Sequence, residues 1–267
     1  ALQLLLTKDA ARARLLATEL DRQNRERRRV EDEVLAEAER QLAQWYDAAC
    51  HAGIVVGAPG WHPGVVGIVA SRLMKRYHRP TFVIGFDEGG LGKGSGRSIE
   101  GFPLVSALQQ CAGYLERFGG HAMAGGLTLS HARVEEFRQA FCASARALLS
   151  DEQLLPRLRV DAELGLAHVN FDLLAQLDDL QPFGIGNLHP TFFARRVTVA
   201  GEPHVMKERH LLLPLRQGGE MTRAVWFDGA RHQLPPQPWD VAFEVERNEY
   251  QGLINPQVQI KAVRASC

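Results

Sequence analysis

Residues 8–49 contain neither glycine nor proline, and this constrains the start of the chain more than any other feature. The stretch is rich in Ala, Leu, Glu and Arg, all strong helix formers. Leu16, Leu20, Val34, Ala38, Leu42 and Trp45 recur at helical spacing, while the middle, "DRQNRERRRVEDE", is polar almost all round. The pattern predicts a long helix, or two in series, with a solvated waist. Such a helix either bridges two domains or lies on the surface of one.

Punctuation changes abruptly after residue 52. "GIVVGA" (53–58) and "TFVIGF" (81–86) read as short buried strands, and "GVVGIVASRLMKRY" (64–77) as a helix with Val65, Ile68, Val69, Leu73 and Met74 on one face. A helix is expected over 103–118, opened by Pro103. A glycine turn running into a strand is expected over 119–129, and an amphipathic helix over 132–149. Strands alternating with helices argue for an α/β fold with helices packed on a mixed sheet. "SDEQLLPRL" near 150–158 reads as a linker, and 170–180 as a short helix. Strand-like runs follow at 192–201, 210–216, 221–227, 240–250 and 257–263. Five short strands with polar turns suit a small barrel of OB type. The expected domains are 1–49, a connecting helix; 50–150, α/β; and 151–267, a β-barrel.

Composition removes several classes. No run of 18 apolar residues occurs among the 267, so no membrane span is indicated. The start lacks a basic n-region and a cleavage site, so no signal peptide is expected; it also lacks an initiator Met, which suggests a fragment. Cys50, Cys111, Cys142 and Cys267 are scattered without a C-x-x-C pair, which argues against zinc or a disulfide framework and for a reducing cytoplasm. Lys plus Arg and Asp plus Glu both total 31. A nucleic-acid partner therefore needs a local basic surface. Residues 59–130 lean that way, with seven cations against four carboxylates.

Three stretches can carry chemistry. "GLGKGSGRS" sets Lys93, Ser95, Gly96, Arg97 and Ser98 among glycines. Read as a loop, it offers backbone N–H groups as an anion nest, a planar guanidinium fork and two hydroxyls. It matches neither a P-loop nor a nucleophile elbow. "GGHAMAGG" places His121 after Gly119 and Gly120 in an open setting, with no second ligand at metal spacing. Trp61 and His62 precede a helix N-terminus, a place that favours anions, although a Trp packing the helix start fits equally.

"WHPGVVGIVASRL", "RPTFVIGF", "GKGSGRS" and "FGGHAMAGGLTL", in this order, resemble the DHH-associated domain of the RecJ family. "ATELDRQNRERRRVEDEVLAEA" resembles the helix that joins it to the catalytic DHH domain, and "LQPFGIGNLHPTF" with the strands after it resembles the family's OB domain. The resemblance implies a single-stranded-DNA-specific 5′-to-3′ exonuclease of DNA repair and recombination. Its two metals, Mn or Mg, would be held in the DHH domain. No Asp-His-His triplet occurs in this chain, so it resembles the substrate-holding half, inactive by itself and with no metal of its own. The resemblance implies that Ser95 and Arg97 grip the 5′-terminal phosphate, with Lys93 and Ser98 beside them. It also implies that His121 faces the scissile phosphate, and that Arg195, Arg196, Lys207, Arg209 and Arg247, with Phe183, line the barrel's groove. Single-strand-binding protein is the implied partner and a monomer the implied state. The alternatives are a phosphodiesterase of short oligonucleotides from the wider DHH group, which would not be expected to carry an OB tail, and a non-catalytic single-strand-binding or scaffold module. A tRNA-synthetase appendage is disfavoured by the absence of synthetase motifs.

Overall fold

The computed structural model describes residues 1–250 and 252–266. Cys267 lies outside them; Cys50, Cys111 and Cys142 are free thiols. The chain forms two compact units, Ala1–Pro156 and Arg157 onward. No helix among the described residues is long and apolar enough to cross a membrane.

The first unit opens with α1 (Leu2–Leu6) and α2 (Ala10–Trp45), the latter one continuous helix of 36 residues. Asp9 caps α2, its carboxylate accepting from the N–H groups of Ala11 at 2.9 Å and Arg12 at 3.3 Å. Over its first half, charge pairs such as Glu19–Arg22 and Arg27–Glu31 lace the helix surface. Over its second half, Val34, Ala38 and Leu42 are buried and join the residues of α3 (Pro63–Tyr77) in one core cluster. Arg72 bridges to Glu31 at 2.9 Å and Asp32 at 2.7 Å and locks the two helices together.

The sheet comprises β1 (Ile54–Pro59), β2 (Thr81–Phe86), β3 (Leu91–Arg97), β4 (Arg117–Gly120) and β5 (Ala124–Ser130), in the order β1-β2-β3-β5-β4. Only β1 and β2 are parallel. On one face α3 and the end of α2 pack over Ile54, Val56 and Val83. On the other, α4 (Leu104–Gln110) and α5 (Val134–Leu148) cover Phe82, Ile84, Leu127 and Leu129, with Phe137 and Phe141 at the centre. The helix expected over 103–118 therefore stops at Gln110. A short 3-10 turn, Ala112–Tyr114, contains Gly113, and Arg117–Gly120 leaves the helix to pair with β5.

The glycine-rich stretch is not a loop. It is β3, a central strand whose backbone is paired on both sides, with β2 and with β5. Its N–H groups are committed to the ladders, and no nest forms. Gly-x-Gly-x-Gly has the period of a strand, so Gly92, Gly94 and Gly96 fall on one face and Lys93, Ser95 and Arg97 on the other. The glycines are there for close packing. A Cβ on Gly96 would lie 2.4 Å from Phe82 Cζ, and one on Gly92 2.4 Å from Phe86 Cε1. Gly96→Ala is expected to destabilise this unit by about 1–3 kcal/mol through overpacking. Chemical denaturation checks it, and a loss below about half a kcal/mol would mean that the rings move aside freely.

The second unit is a barrel. Its strands are β6 (Ala162–Glu163), β7 (Phe192–Val199), β8 (His204–Met206), β9 (His210–Gln217), β10 (Glu220–Trp226), β11 (Trp239–Tyr250) and β12 (Leu253–Ala265), and α6 (Phe171–Asp179) precedes β7. The order β6-β7-β11-β12-β10-β9-β8 closes through β7–β9 pairing, and β10–β12 is parallel. The five strands of the closed ring, β7-β11-β12-β10-β9, with their parallel β10–β12 pair, define an OB barrel. Leu211, Leu213 and Leu215 alternate inward with Val241, Phe243, Val258 and Ile260. Asp240, buried at the barrel's end, is held by Ser266 Oγ at 2.6 Å, by Arg264 at 3.2 Å and by the Arg196 N–H at 3.4 Å. These donors, the Ser266 hydroxyl first, hold its carboxyl below the usual aspartate range.

Candidate nucleic-acid interface

The two faces of the sheet are unequally covered. Beyond α3, the face that carries Ser95 is open over β5 and β4, where Gly126 and all of β4 are exposed. Register places the side chains on this face in three rows. Arg97 lies opposite Ala124; Ser95 opposite Gly126, then Gly119; Lys93 opposite Thr128, then Arg117.

Arg97 is half-buried and pre-set. Its Nη1 donates to Gly96 O at 2.8 Å and to Ser95 Oγ at 3.1 Å. Those two bonds leave Nη2 and Nε for a ligand, and they leave the serine hydroxyl hydrogen free to donate. Gly67 of α3 makes room for the pair: a Cβ there would lie 3.0 Å from Ser95 Oγ and 3.3 Å from Arg97 Nη2. His121 is exposed on the β4–β5 turn, its N–H bonded to Ala124 O at 2.8 Å, next to the Arg97 row. Gly120 holds φ +146, and a Cβ on it would meet Ala124 O at 2.4 Å, so only glycine makes this turn. Ser95, Arg97, Gly119, Gly120 and His121 thus meet at one end of one open face, and Lys93 continues it.

Four other expected residues do not join them. Ser98 is buried, its hydroxyl donating to Phe102 O at 2.5 Å to tie the following turn. Gly96 faces the core. Trp61 is buried, and its Nε1 donates to Glu37 of α2 at 2.8 Å. His62 caps α3 with Nδ1, which accepts from the Gly64 N–H at 3.0 Å, so the helix terminus is satisfied by its own cap. Trp61 adjoins Gly85, whereas Arg97 pairs with Thr81 at the far end of β2.

In the barrel, three of the expected groove cations are ion-paired. Arg195 pairs with Glu163 at 3.2 Å and Arg209 with Asp228 at 2.6 Å, and Arg247 pairs with Asp178. The Arg209 hydrogen bond is the main cause that lowers the Asp228 carboxyl below its usual range. Arg196 takes a left-handed conformation (φ 54) at a bulge opposite Asp240, and Lys207 (φ 48) sits in the turn before β9. Phe183 packs against His189, their rings 4.5 Å apart and tilted by 50°. Two arginines that the sequence reading missed stand on the outer β9–β10 face. Arg216 lies opposite Met221 and Arg223 opposite Pro214, and neither has an ion-pair partner among the described residues. The signal was present: in "LLLPLRQ" and "MTRAVW" the arginines fall on the outward parity.

Among the described residues, no group of three or more His, Cys, Asp or Glu could hold a metal ion.

The chain thus joins an α/β domain with an open, cation-bearing sheet face to an OB barrel. Comparison with known proteins agrees with that architecture. Residues 50–147 match the DHHA1 domain and residues 160–262 the RecJ OB domain. The chain belongs to the RecJ family. It is 33% identical to the single-stranded-DNA-specific exonuclease RecJ of Bacillus subtilis over all of this chain and 34% of that protein. It is 32% identical to RecJ of Escherichia coli over 96% of this chain and 46% of that protein. The crystal structure of RecJ in complex with Mn2+ from Thermus thermophilus superposes on the whole chain with a TM-score of 0.79 at 30% identity and covers 38% of that protein. The chain therefore spans less than half the length of these relatives.

Proposed function

We propose that this chain is the DNA-holding part of a single-stranded-DNA-specific exonuclease that degrades strands from the 5′ end in repair and recombination. The convergence of Ser95, Arg97 and His121 on one open sheet face carries the reading. Arg97 and Ser95 hold the 5′-terminal phosphate, and His121 stands beside the first linkage. Residues 1–49 connect to a metal-bearing catalytic domain, residues 50–150 hold the strand's end, and residues 151–267 hold its continuation. Along the barrel the strand runs over Arg216 and Arg223, since the β9–β10 face is where OB folds take oligonucleotides. The Mn2+ and Mg2+ of the Thermus structures have their counterpart in the domain this chain does not include. On this reading the protein acts as a cytoplasmic monomer, with single-stranded DNA and a single-strand-binding protein as partners.

The chain is expected to bind single-stranded DNA without releasing nucleotides from it when manganese is supplied. Because the contacts are phosphate contacts, affinity falls with salt, losing about one counterion for each phosphate engaged. Fluorescence anisotropy across a salt series, with product analysis of the same samples, reads both. Equal affinity for duplex, a flat salt response, or hydrolysis that follows the chain through purification would count against the proposal.

A further inference from the structure

The turn after β10 holds an aromatic ring in the open. Phe227 is 51% exposed, whereas Trp226, the last residue of β10, is buried. A single surface aromatic is ordinary, but two observations give this one a role. The first is that the ring is held. His210, the first residue of β9, meets it edge to face, with centroids 5.2 Å apart and planes at 81°. His210 is itself fixed, because its Nδ1 accepts from the Asp228 N–H at 3.0 Å. Asp228 takes a left-handed conformation (φ 58), and its carboxylate accepts from Arg209 at 2.6 Å. The turn after β10 is thus tied to the start of β9, and the ring is set in place before a ligand arrives.

The second is the face on which the ring stands. Leu211, Leu213 and Leu215 point into the barrel, so His210, Leu212, Pro214 and Arg216 point out. Register sets Val225 opposite Leu212, Arg223 opposite Pro214 and Met221 opposite Arg216. None of these outward residues is a carboxylate. The outer β9–β10 face therefore runs from Phe227 and His210, over an uncharged middle, to Arg223 and Arg216, about 20 Å along β9. Neither arginine has an ion-pair partner among the described residues, and the Arg216 guanidinium leans on Met221 Sδ at 4.0 Å. Phosphates need only the two cations. An exposed ring on the same face suits the flat, uncharged part of a nucleotide.

We propose that Phe227, backed by His210, is a nucleobase-stacking site, on which one unpaired base lies while Arg223 and Arg216 hold phosphates further along the same strand. The inference rests on the reading that the β9–β10 face takes the strand. It gives the barrel a preference for single strands that phosphate contacts alone do not supply. A phosphate is presented by one strand and by two. In a duplex, however, both faces of a base are covered by its neighbours, and neither is free to lie on Phe227. Stacking also tolerates any base, because every base has a π-face.

The test uses 5′-hydroxyl strands at low salt, so that no terminal phosphate contributes. An oligothymidylate is compared with an abasic strand of equal length, which keeps the phosphates and sugars and lacks the bases. Phe227→Ala is expected to weaken binding of the oligothymidylate roughly five- to a hundredfold, the worth of one stacked base, and to change binding of the abasic strand by less than about twofold. Its affinity for duplex should match wild type, so the preference for single strands falls by the same factor. Phe227→Trp should recover the loss. Phe227→Leu keeps apolar bulk without a π-face and should recover little. No loss in Phe227→Ala, an equal loss on both strands, or full recovery by Phe227→Leu overturns the proposal. An equal loss joined to a lowered unfolding midpoint would assign the ring to the barrel's stability instead. Arg223→Ala separates this claim from the one beneath it. That variant should weaken both strands and reduce the salt slope by about one. If it does so while Phe227→Ala changes nothing, the strand runs over this face and the stacking site fails. If neither variant weakens the oligothymidylate, the strand does not run over this face, and both readings fail.

Discussion

Arg97→Ala is expected to weaken binding of a 5′-phosphorylated single strand by about ten- to a hundredfold and to leave a 5′-hydroxyl strand almost unaffected. One charge-assisted hydrogen-bonded contact is worth roughly 1.5–3 kcal/mol, which sets that range. The asymmetry follows from the geometry. Nη1 is spent on Gly96 O and Ser95 Oγ, so the guanidinium plane is fixed before a ligand arrives, and Nη2 and Nε remain to receive it. A terminal phosphate presents the extra oxygens that such an edge can take; a hydroxyl does not. Arg97→Lys should recover only part of the loss, because an ammonium cannot keep both internal bonds and still offer a planar fork. Competition binding with the two strands decides the matter. If Arg97→Ala weakens both equally, Arg97 serves an internal phosphate or merely positions Ser95, and the terminal assignment is wrong.

Much of the fold could be read from residue order. The glycine- and proline-free start is one helix, Ala10–Trp45, and all five strand-like runs of the second half are barrel strands. These succeeded because the hydrophobic period is local. The reading of "GLGKGSGRS" as a loop failed because glycine density was taken as backbone freedom. Its strict alternation was the better guide, since a period of two sorts small from functional side chains across a sheet. The candidate site was half legible. Ser95, Arg97 and His121 could be picked out as residue types, but Gly67, which makes room for Ser95 and Arg97, acquires meaning only through helix packing, which is long-range. Trp61, His62 and Ser98 look the same in sequence whether they face a ligand or close a turn; the partners Glu37, Gly64 and Phe102 decide it.

Arg79 shows the same limit most sharply, and its removal is expected to be the most damaging single change in the first unit. Next to Pro80, it reads as an ordinary surface cation. In the structure it is 7% exposed and has no carboxylate partner among the described residues. Its guanidinium donates instead to five backbone carbonyls: Ala48 at 3.0 Å, His51 at 3.1 Å, Tyr77 at 3.5 Å, His78 at 3.0 Å and Leu154 at 2.7 Å. Those carbonyls belong to the segment after α2, to the C-terminal end of α3 and to the segment after α5, so one side chain ties three parts of the unit to the start of β2. The carbonyls at the end of α3 also carry the helix's negative pole, which a cation offsets. Arg79→Ala leaves several acceptors buried without donors at about 1–3 kcal/mol for each that water cannot reach. It also removes the packed stem. A total loss of about 3–5 kcal/mol is expected, a large share of the 5–15 kcal/mol typical of a domain. Arg79→Lys should recover less than half, because three donors on one nitrogen cannot span carbonyls on three segments. Amide exchange of β1 and β2 reports this unit separately from the barrel. If protection there falls by less than about 1 kcal/mol in Arg79→Ala, water has replaced the guanidinium and the three segments are held by their apolar contacts alone.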